Sequence, residues 1–160
     1  MSIGRFSAMV GALLWRPSDS RYLALRRSEE KDFAGGAWEC ITGRVDQGES
    51  FADALRREIY EELGIQVQVD FIVGTVHFFR GEPRPENEMV GVQYCCSVEN
   101  PQDIRLSAEH TEYRWITAEE AEELFPGDHW LAKAIRRAEA IRALLPSELL
   151  EYYRAQGFEL

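Results

Sequence analysis

The sequence predicts helices flanking a mixed β-sheet, in an α+β or mixed α/β arrangement. Three observations predict it. Runs rich in β-branched and aromatic residues recur, bounded by Gly-, Pro- and Asp-containing turns. One strongly patterned helix interrupts them between residues 50 and 63, and helical patterns take over after Thr117. The chain has 160 residues, 45% of them apolar, which suits one domain with a core of its own.

Phe6 to Trp15 and Tyr22 to Arg26 read as two strands joined by the turn Arg16-Pro17-Ser18-Asp19-Ser20. Residues 28–37 form a loop with Gly35-Gly36 as its flexible point, Trp38 to Thr42 a short strand, and residues 43–49 a second loop. Ser50 to Leu63 is the best-marked helix. Ser50 stands as its N-cap, Asp53 favours the positive helix end, and Gly64 lies just past the last turn. Val67 to Phe79 reads as one long strand or two short ones. The loop Gly81 to Pro85 leads to strands at Met89 to Val98 and Glu112 to Ile116. Thr117 caps a helix to Leu124 with Glu120 at the capping-box position. A further helix runs from Trp130 to Leu145, where Pro146 ends it, and Ser147 to Gln156 adds a last one. The tail 146–160 is expected as a helical extension that packs, closes as a lid or serves as a dimer arm.

A net charge of −10 argues against binding along a nucleic-acid polymer, which needs clustered cations to release counterions. It leaves a nucleotide substrate open if a metal carries the phosphates. No run of about 18 apolar residues marks a membrane span. The N-terminal run lacks a secretory cleavage pattern and is read as a strand. Cys40, Cys95 and Cys96 have neither disulfide nor metal spacing, so buried thiols in a reducing cytoplasm are expected. His77, His110 and His129 share no metal spacing either and read as ordinary core or surface residues.

The helix at 50–63 carries the chemistry. At about 100° per residue, Ala52, Leu55, Ile59 and Leu63 form a core stripe. Glu58, Glu61 and Glu62 gather beside it at i, i+3 and i+4 spacing. Like charges so placed cost about 0.2–0.5 kcal/mol per pair, and they crowd the negative helix end. A solvated acidic face and a site for Mg²⁺, Mn²⁺ or Ca²⁺ both accommodate this pattern.

The surroundings separate the two. Gly43 is followed by five residues and Glu49; seven more lead to Arg57-Glu58-Ile59-Tyr60-Glu61-Glu62-Leu63-Gly64-Ile65. This spacing resembles the Nudix box at every fixed position, and Glu109-His110-Thr111-Glu112-Tyr113-Arg114-Trp115 also resembles the family. The resemblance implies the Nudix α/β/α sandwich and metal-assisted hydrolysis of a nucleoside diphosphate linked to another group. It implies Glu58, Glu61 and Glu62 as metal-binding carboxylates, with the backbone carbonyl at or beside Gly43 as a further ligand. Arg57 and Glu49 become the pair that positions them, although Arg57 and Glu61 also have the spacing of a surface ion pair. Glu58 and Glu109 are the candidates for general base, with Glu112 and Glu88 behind them. Phe33 and Trp38 precede the box and either stack on a base or pack in the core; Arg26 and Arg27 end a strand near the expected site, where one touches phosphate or both stay solvated. Mg²⁺ is the implied cofactor, with Mn²⁺ as a substitute.

Many family members carry Pro-Gly-Gly where this chain has Ile41-Thr42-Gly43. The Trp…Thr-Gly arrangement resembles members acting on nucleoside or pterin triphosphates. Nucleotide sugars and ADP-ribose follow as substrates. Members often form homodimers, and the stripe at 130–145 suits either such an interface or the core. A ligand sensor that has lost catalysis is the rival reading; its box would often be damaged, and here every acidic position is intact. An isomerase on the same fold would need acid and base groups that the three cysteines do not clearly supply.

Overall fold

The computed structural model describes residues 5–159; Met1 to Gly4, ahead of the first predicted strand, and Leu160, the end of the predicted tail, lie outside them. Seven strands share one sheet: β1 (Ser7–Arg16), β2 (Arg21–Arg27), β3 (Trp38–Glu39), β4 (Ile41–Arg44), β5 (Gln68–Phe79), β6 (Glu88–Ser97) and β7 (His110–Ile116). The helices are α1 (Phe51–Leu63), α2 (Ala118–Leu124), α3 (Trp130–Leu144) and α4 (Ser147–Gln156). This is the mixed sheet flanked by helices that the sequence predicts, in the α/β class.

The sheet follows the order β3-β2-β1-β6-β5, with β7 on β2 and β4 on β1. Only β1 and β6 run parallel; the other pairs are antiparallel. β1 and β2 pair only beside their turn, at Trp15 with Tyr22 and Arg16 with Arg21. Beyond it they splay apart, and residues 38–44 wedge between them. Leu25 then faces Glu39 across β2 and β3, while Val10 faces Gly43 across β1 and β4. The single strand predicted at Trp38 to Thr42 is therefore two, because the chain changes partner at Cys40. The predicted strand at 112–116 begins earlier, at His110, where the ladder with β2 slips by one residue.

Strand alternation divides the core in two. Val10, Ala12, Leu14, Leu23, Leu25 and Cys96 pack on the α1 side with Leu55, Ile59 and Leu63. Leu13, Tyr22, Ala24, Cys40 and Cys95 pack on the other side with Leu131, Ile135 and Ala138 of α3. The two adjacent cysteines thus point to opposite faces, and all three thiols are free and buried. The stripe of α3 faces the core, which leaves its exposed residues Trp130 and Leu144 outside that packing. Among the described residues no helix is long and apolar enough to cross a membrane.

Both ends of α1 are closed by named groups. Ser50 Oγ accepts from the Asp53 amide at 3.1 Å. Gly64 takes φ 68°, the left-handed conformation that glycine adopts most cheaply, and its amide donates to the Tyr60 carbonyl. The first two amides of α1 donate to Glu159 Oε1, at 2.6 Å from Phe51 and 3.3 Å from Ala52. In this structure α4 packs along β5, and Glu159 beyond it caps α1. Phe158 stacks on Tyr153 and packs against the α1-side core, and Arg154 reaches the fully buried Asp70. The predicted capping box of α2 is present at Thr117 and Glu120.

Candidate active site

The site grows from the α1 helix and the wedge of residues 38–44 beneath it. The helical spacing places Glu58, Glu61 and Glu62 along one flank of α1. Glu62 is 5% exposed, whereas the Glu61 side chain lies open to solvent. Glu58 lies against Gly43 so closely that a Cβ there would overlap its carboxyl group. Glycine is required at this point by the close approach of strand and carboxylate, independently of φ.

Arg57 ties the flank to the loop ahead of it. Its Nε and Nη2 donate to the two carboxylate oxygens of Glu49 at 2.8 and 2.9 Å. Nη1 donates to Glu58 Oε1 at 2.8 Å and to Glu61 Oε2 at 3.3 Å, and Nη2 also reaches the Arg44 carbonyl at 2.9 Å. The i,i+4 contact and the fork to Glu49 therefore coexist in one guanidinium. The Arg57 hydrogen bonds, joined by the Asp46 amide, hold Glu49 down at about 2.

The acid flank has the opposite balance. Burial pushes Glu58 up despite Arg57. Burial, followed by the charges of Glu39, Glu109 and Glu58, pushes Glu62 to about 9. Glu62 Oε2 is buried and has no hydrogen-bond partner. Crowded carboxylates with an orphaned oxygen have the chemistry that a divalent cation would relieve, because the ion offsets their repulsion. Among the described residues no three acidic, imidazole or thiol side chains are already arranged around one point as a metal ion would need, so Glu58 and Glu61 would have to leave Arg57 in part to join Glu62. Open carboxylate sites of this kind suit Mg²⁺, which keeps several of its waters.

Glu109 approaches from the loop before β7. Helix α1 itself holds that loop: the Arg105 and Ser107 amides donate to the Leu63 and Glu62 carbonyls, both at 2.9 Å. The Glu109 carboxylate pairs with Lys31 Nζ at 2.7 Å, and its charge acts on both Glu58 and Glu62. The weaker base candidates sit elsewhere. Glu112 is bound to Arg114 at 2.7 Å, and Glu88 to His77 at 2.9 Å.

The four residues singled out for substrate divide. Arg27 turns to the α1 side, where Nη1 donates to Glu39 at 2.7 Å and Nε to the Phe33 carbonyl at 3.1 Å. Phe33 lies in the same loop as Lys31, with the Arg80 guanidinium 5.7 Å from its ring centre. Arg26 and Trp38 face each other across β2 and β3 on the opposite side of the sheet. There Trp38 packs on the α3-side core beneath Arg114, and Arg26 pairs with Glu29 and Glu112.

Sequence reasoning missed Glu39 and left His110 between core and surface, and the structure makes it a core residue. Both are buried on the α1 side, with His110 Nε2 3.0 Å from Glu39 Oε1. A signal for Glu39 was present: alternation puts it on the same face as Ile41, a core position where an unpaired carboxylate is rare. For His110 the bulge at the β2–β7 ladder hid the register.

Comparison with known proteins fits this geometry. The NUDIX domain family model matches residues 6–138. The chain is 34% identical over 125 residues to an octanoyltransferase of Myxococcus xanthus, covering 78% of this chain and 34% of that protein. It thus spans only about a third of that relative's length. It is 29% identical over 111 residues to the nucleoside triphosphatase NudI of Escherichia coli O81 (strain ED1a), covering 64% of this chain and 77% of that one. The crystal structure of a MutT protein from Methanosarcina mazei Go1 superposes with a TM-score of 0.73 at 26% identity, covering 89% and 99% of the two chains. Fold and box spacing together define a domain of the Nudix class. The chain belongs to the Nudix family.

One substitution tests the close approach directly. Gly43→Ala is expected to displace the Glu58 carboxylate, a flexible group, and not the strand. Turnover should fall at least tenfold while the melting temperature moves by only a few degrees, about 1–2 kcal/mol of strain. Calorimetry beside a turnover assay checks this; full turnover would separate Glu58 from the chemistry.

Proposed function

We propose that the protein is a Mg²⁺-dependent pyrophosphohydrolase, with Mn²⁺ as a substitute, that cleaves a phosphoanhydride bond in a nucleotide-type small molecule. Nucleoside or pterin triphosphates are the first substrate class, and nucleotide sugars or ADP-ribose the second. The observation that carries the reading is the acid flank of Glu58, Glu61 and Glu62, clamped by Arg57 and Glu49 and faced by Gly43.

In this reading Glu58, Glu61 and Glu62 hold the cation, together with the Gly43 carbonyl. When bound, the cation polarises the phosphoryl oxygens and lowers the pKa of a coordinated water. Arg57 and Glu49 fix the carboxylates, so less ordering remains to be done as the reaction proceeds. Glu109, held by Lys31, accepts the proton of the attacking water, with Glu58 as the other candidate. Arg27, whose charge acts on Glu62, would meet the phosphates, and Phe33, whose carbonyl accepts from Arg27, would stack on a base. Arg26 and Trp38 would meet a substrate that wraps the edge of β3. The three buried thiols support a reducing, cytoplasmic setting. The whole chain acts as one domain, with α4 and the residues after it as its extension.

A hydrolysis panel of nucleoside triphosphates, dihydroneopterin triphosphate, nucleotide sugars, ADP-ribose and dinucleoside polyphosphates, run with and without Mg²⁺, tests the reading. Turnover of one class that disappears on chelation is the expected result. Tight binding of one ligand without turnover would instead favour a catalytically inactive sensor. Glu109→Gln is expected to lower kcat by about a hundredfold, the lower range for general base catalysis, with a smaller effect on KM. Unchanged kcat returns the base role to Glu58.

A further inference from the structure

Behind the acid flank lies a buried pair, Glu39 and His110, that no step above uses. The His110 side chain is 2% exposed. Its Nε2 lies 3.0 Å from Glu39 Oε1, the oxygen that also accepts from Arg27 Nη1 at 2.7 Å. A carboxylate oxygen paired with Arg27 accepts, so Nε2 carries the proton and donates. The other ring nitrogen, Nδ1, lies 3.6 Å from Glu62 Oε2. These two atoms are both buried and both lack a hydrogen-bond partner.

The backbone builds this contact. The ladder between β2 and β7 pairs Arg26 with Glu112 and then Arg27 with His110, leaving Thr111 as the extra residue. Such a bulge re-aims the side chain beside it, and here His110 joins Arg27 on the α1 side. The Ser107 amide donates to the Glu62 carbonyl, and the His110 amide to the Ser107 carbonyl, so one short loop fixes His110 relative to Glu62. Arg27, Glu39, His110 and Glu62 thus form a line from the sheet to the helix. Its last member is the buried carboxylate of Glu62, whose Oε2 has no hydrogen-bond partner.

We propose that His110 is a positioning residue: anchored by Glu39 and Arg27, it backs the Glu62 carboxylate and sets the direction in which that group presents its oxygens to a cation. The role rests on the metal site proposed above. A histidine that merely filled space would be replaceable by an apolar ring of similar size. A positioning histidine is not, because with Nε2 protonated the Nδ1 lone pair stands 3.6 Å from Glu62 Oε2, offers that oxygen no hydrogen bond and so leaves it for a cation.

The test measures Mn²⁺ binding by the substrate-free protein, from the paramagnetic resonance signal of the free ion, beside kcat, KM and melting temperature. His110→Phe is expected to bind Mn²⁺ roughly tenfold more weakly, the lower range for loss of a group that orients a ligand. Its kcat should fall and its KM stay within about twofold, because ion placement is altered and substrate contact is not. A folded His110→Phe protein with wild-type Mn²⁺ affinity overturns the proposal. Where His110→Phe does not fold, Glu39→Gln is measured in the same way. A severalfold loss of Mn²⁺ affinity then supports the role, and an unchanged affinity overturns it. Wild-type protein that binds no Mn²⁺ overturns the metal reading itself, and the positioning role with it.

Discussion

Glu62→Gln is expected to lower turnover by roughly a thousandfold while the protein stays folded. The rate figure corresponds to about 4 kcal/mol, the scale on which a well-held cation stabilises transition-state charge. The folding half follows from the environment of the side chain. Glu62 is buried, faces Glu39, Glu58 and Glu109, and has one oxygen without a partner. An amide of the same shape removes the repulsion and leaves packing intact. Glu61→Gln should also lose turnover, by less, because Glu61 is exposed and retains more freedom to be replaced by water. Steady-state kinetics in Mg²⁺, with calorimetry on the same samples, checks both. Full Mg²⁺-dependent turnover in either variant would remove that residue from the metal site.

The largest stability effect is expected far from the chemistry. Asp70 is fully buried in a bulge of β5, where Arg154 donates to its Oδ1 from Nε at 3.0 Å and from Nη2 at 2.6 Å. Ser97 Oγ donates to Oδ2 at 2.5 Å, and the Arg142 guanidinium stands 3.8 Å away. Arg154→Met would leave the carboxylate in the core with its principal counter-charge gone. Removing one partner of such a pair costs about 3 kcal/mol, and Arg142 keeps the figure at that lower end. The melting temperature should drop by about 6–12 °C for a chain of this size. Asp70→Asn in the same protein should restore most of the loss, because the uncompensated charge is then absent. A single variant as stable as wild type would mean that Arg142 alone holds Asp70.

The parts of the molecule legible in the sequence are those governed by local chemistry. Ser50 and Gly64 bound α1, and Thr117 with Glu120 bounds α2, because caps act on amides and carbonyls within a few residues. The box spacing located the acid flank, since helical periodicity puts Glu58, Glu61 and Glu62 together without any tertiary contact. What depended on partners distant in sequence was hidden. The strand at 38–44 breaks at Cys40 only because β1 and β2 splay and offer two edges. His110 reaches Glu39, 71 residues away, only through the bulge in the β2–β7 ladder. Trp38 and Arg26 precede the box in sequence, yet the pleat turns them to the face away from α1. The tail could be read as a helix, whereas its attachment to Asp70 and to the start of α1 spans most of the chain.

That attachment has a practical consequence for anyone handling the protein. Glu159 closes the start of the helix that carries the acids, and Phe158 holds it in place. An affinity tag or fused partner placed directly after Glu159 would load that closure, and its strain would be felt two turns from Glu58. Preparations tagged there should bind Mn²⁺ less uniformly than preparations tagged ahead of β1, and a long flexible spacer should erase the difference.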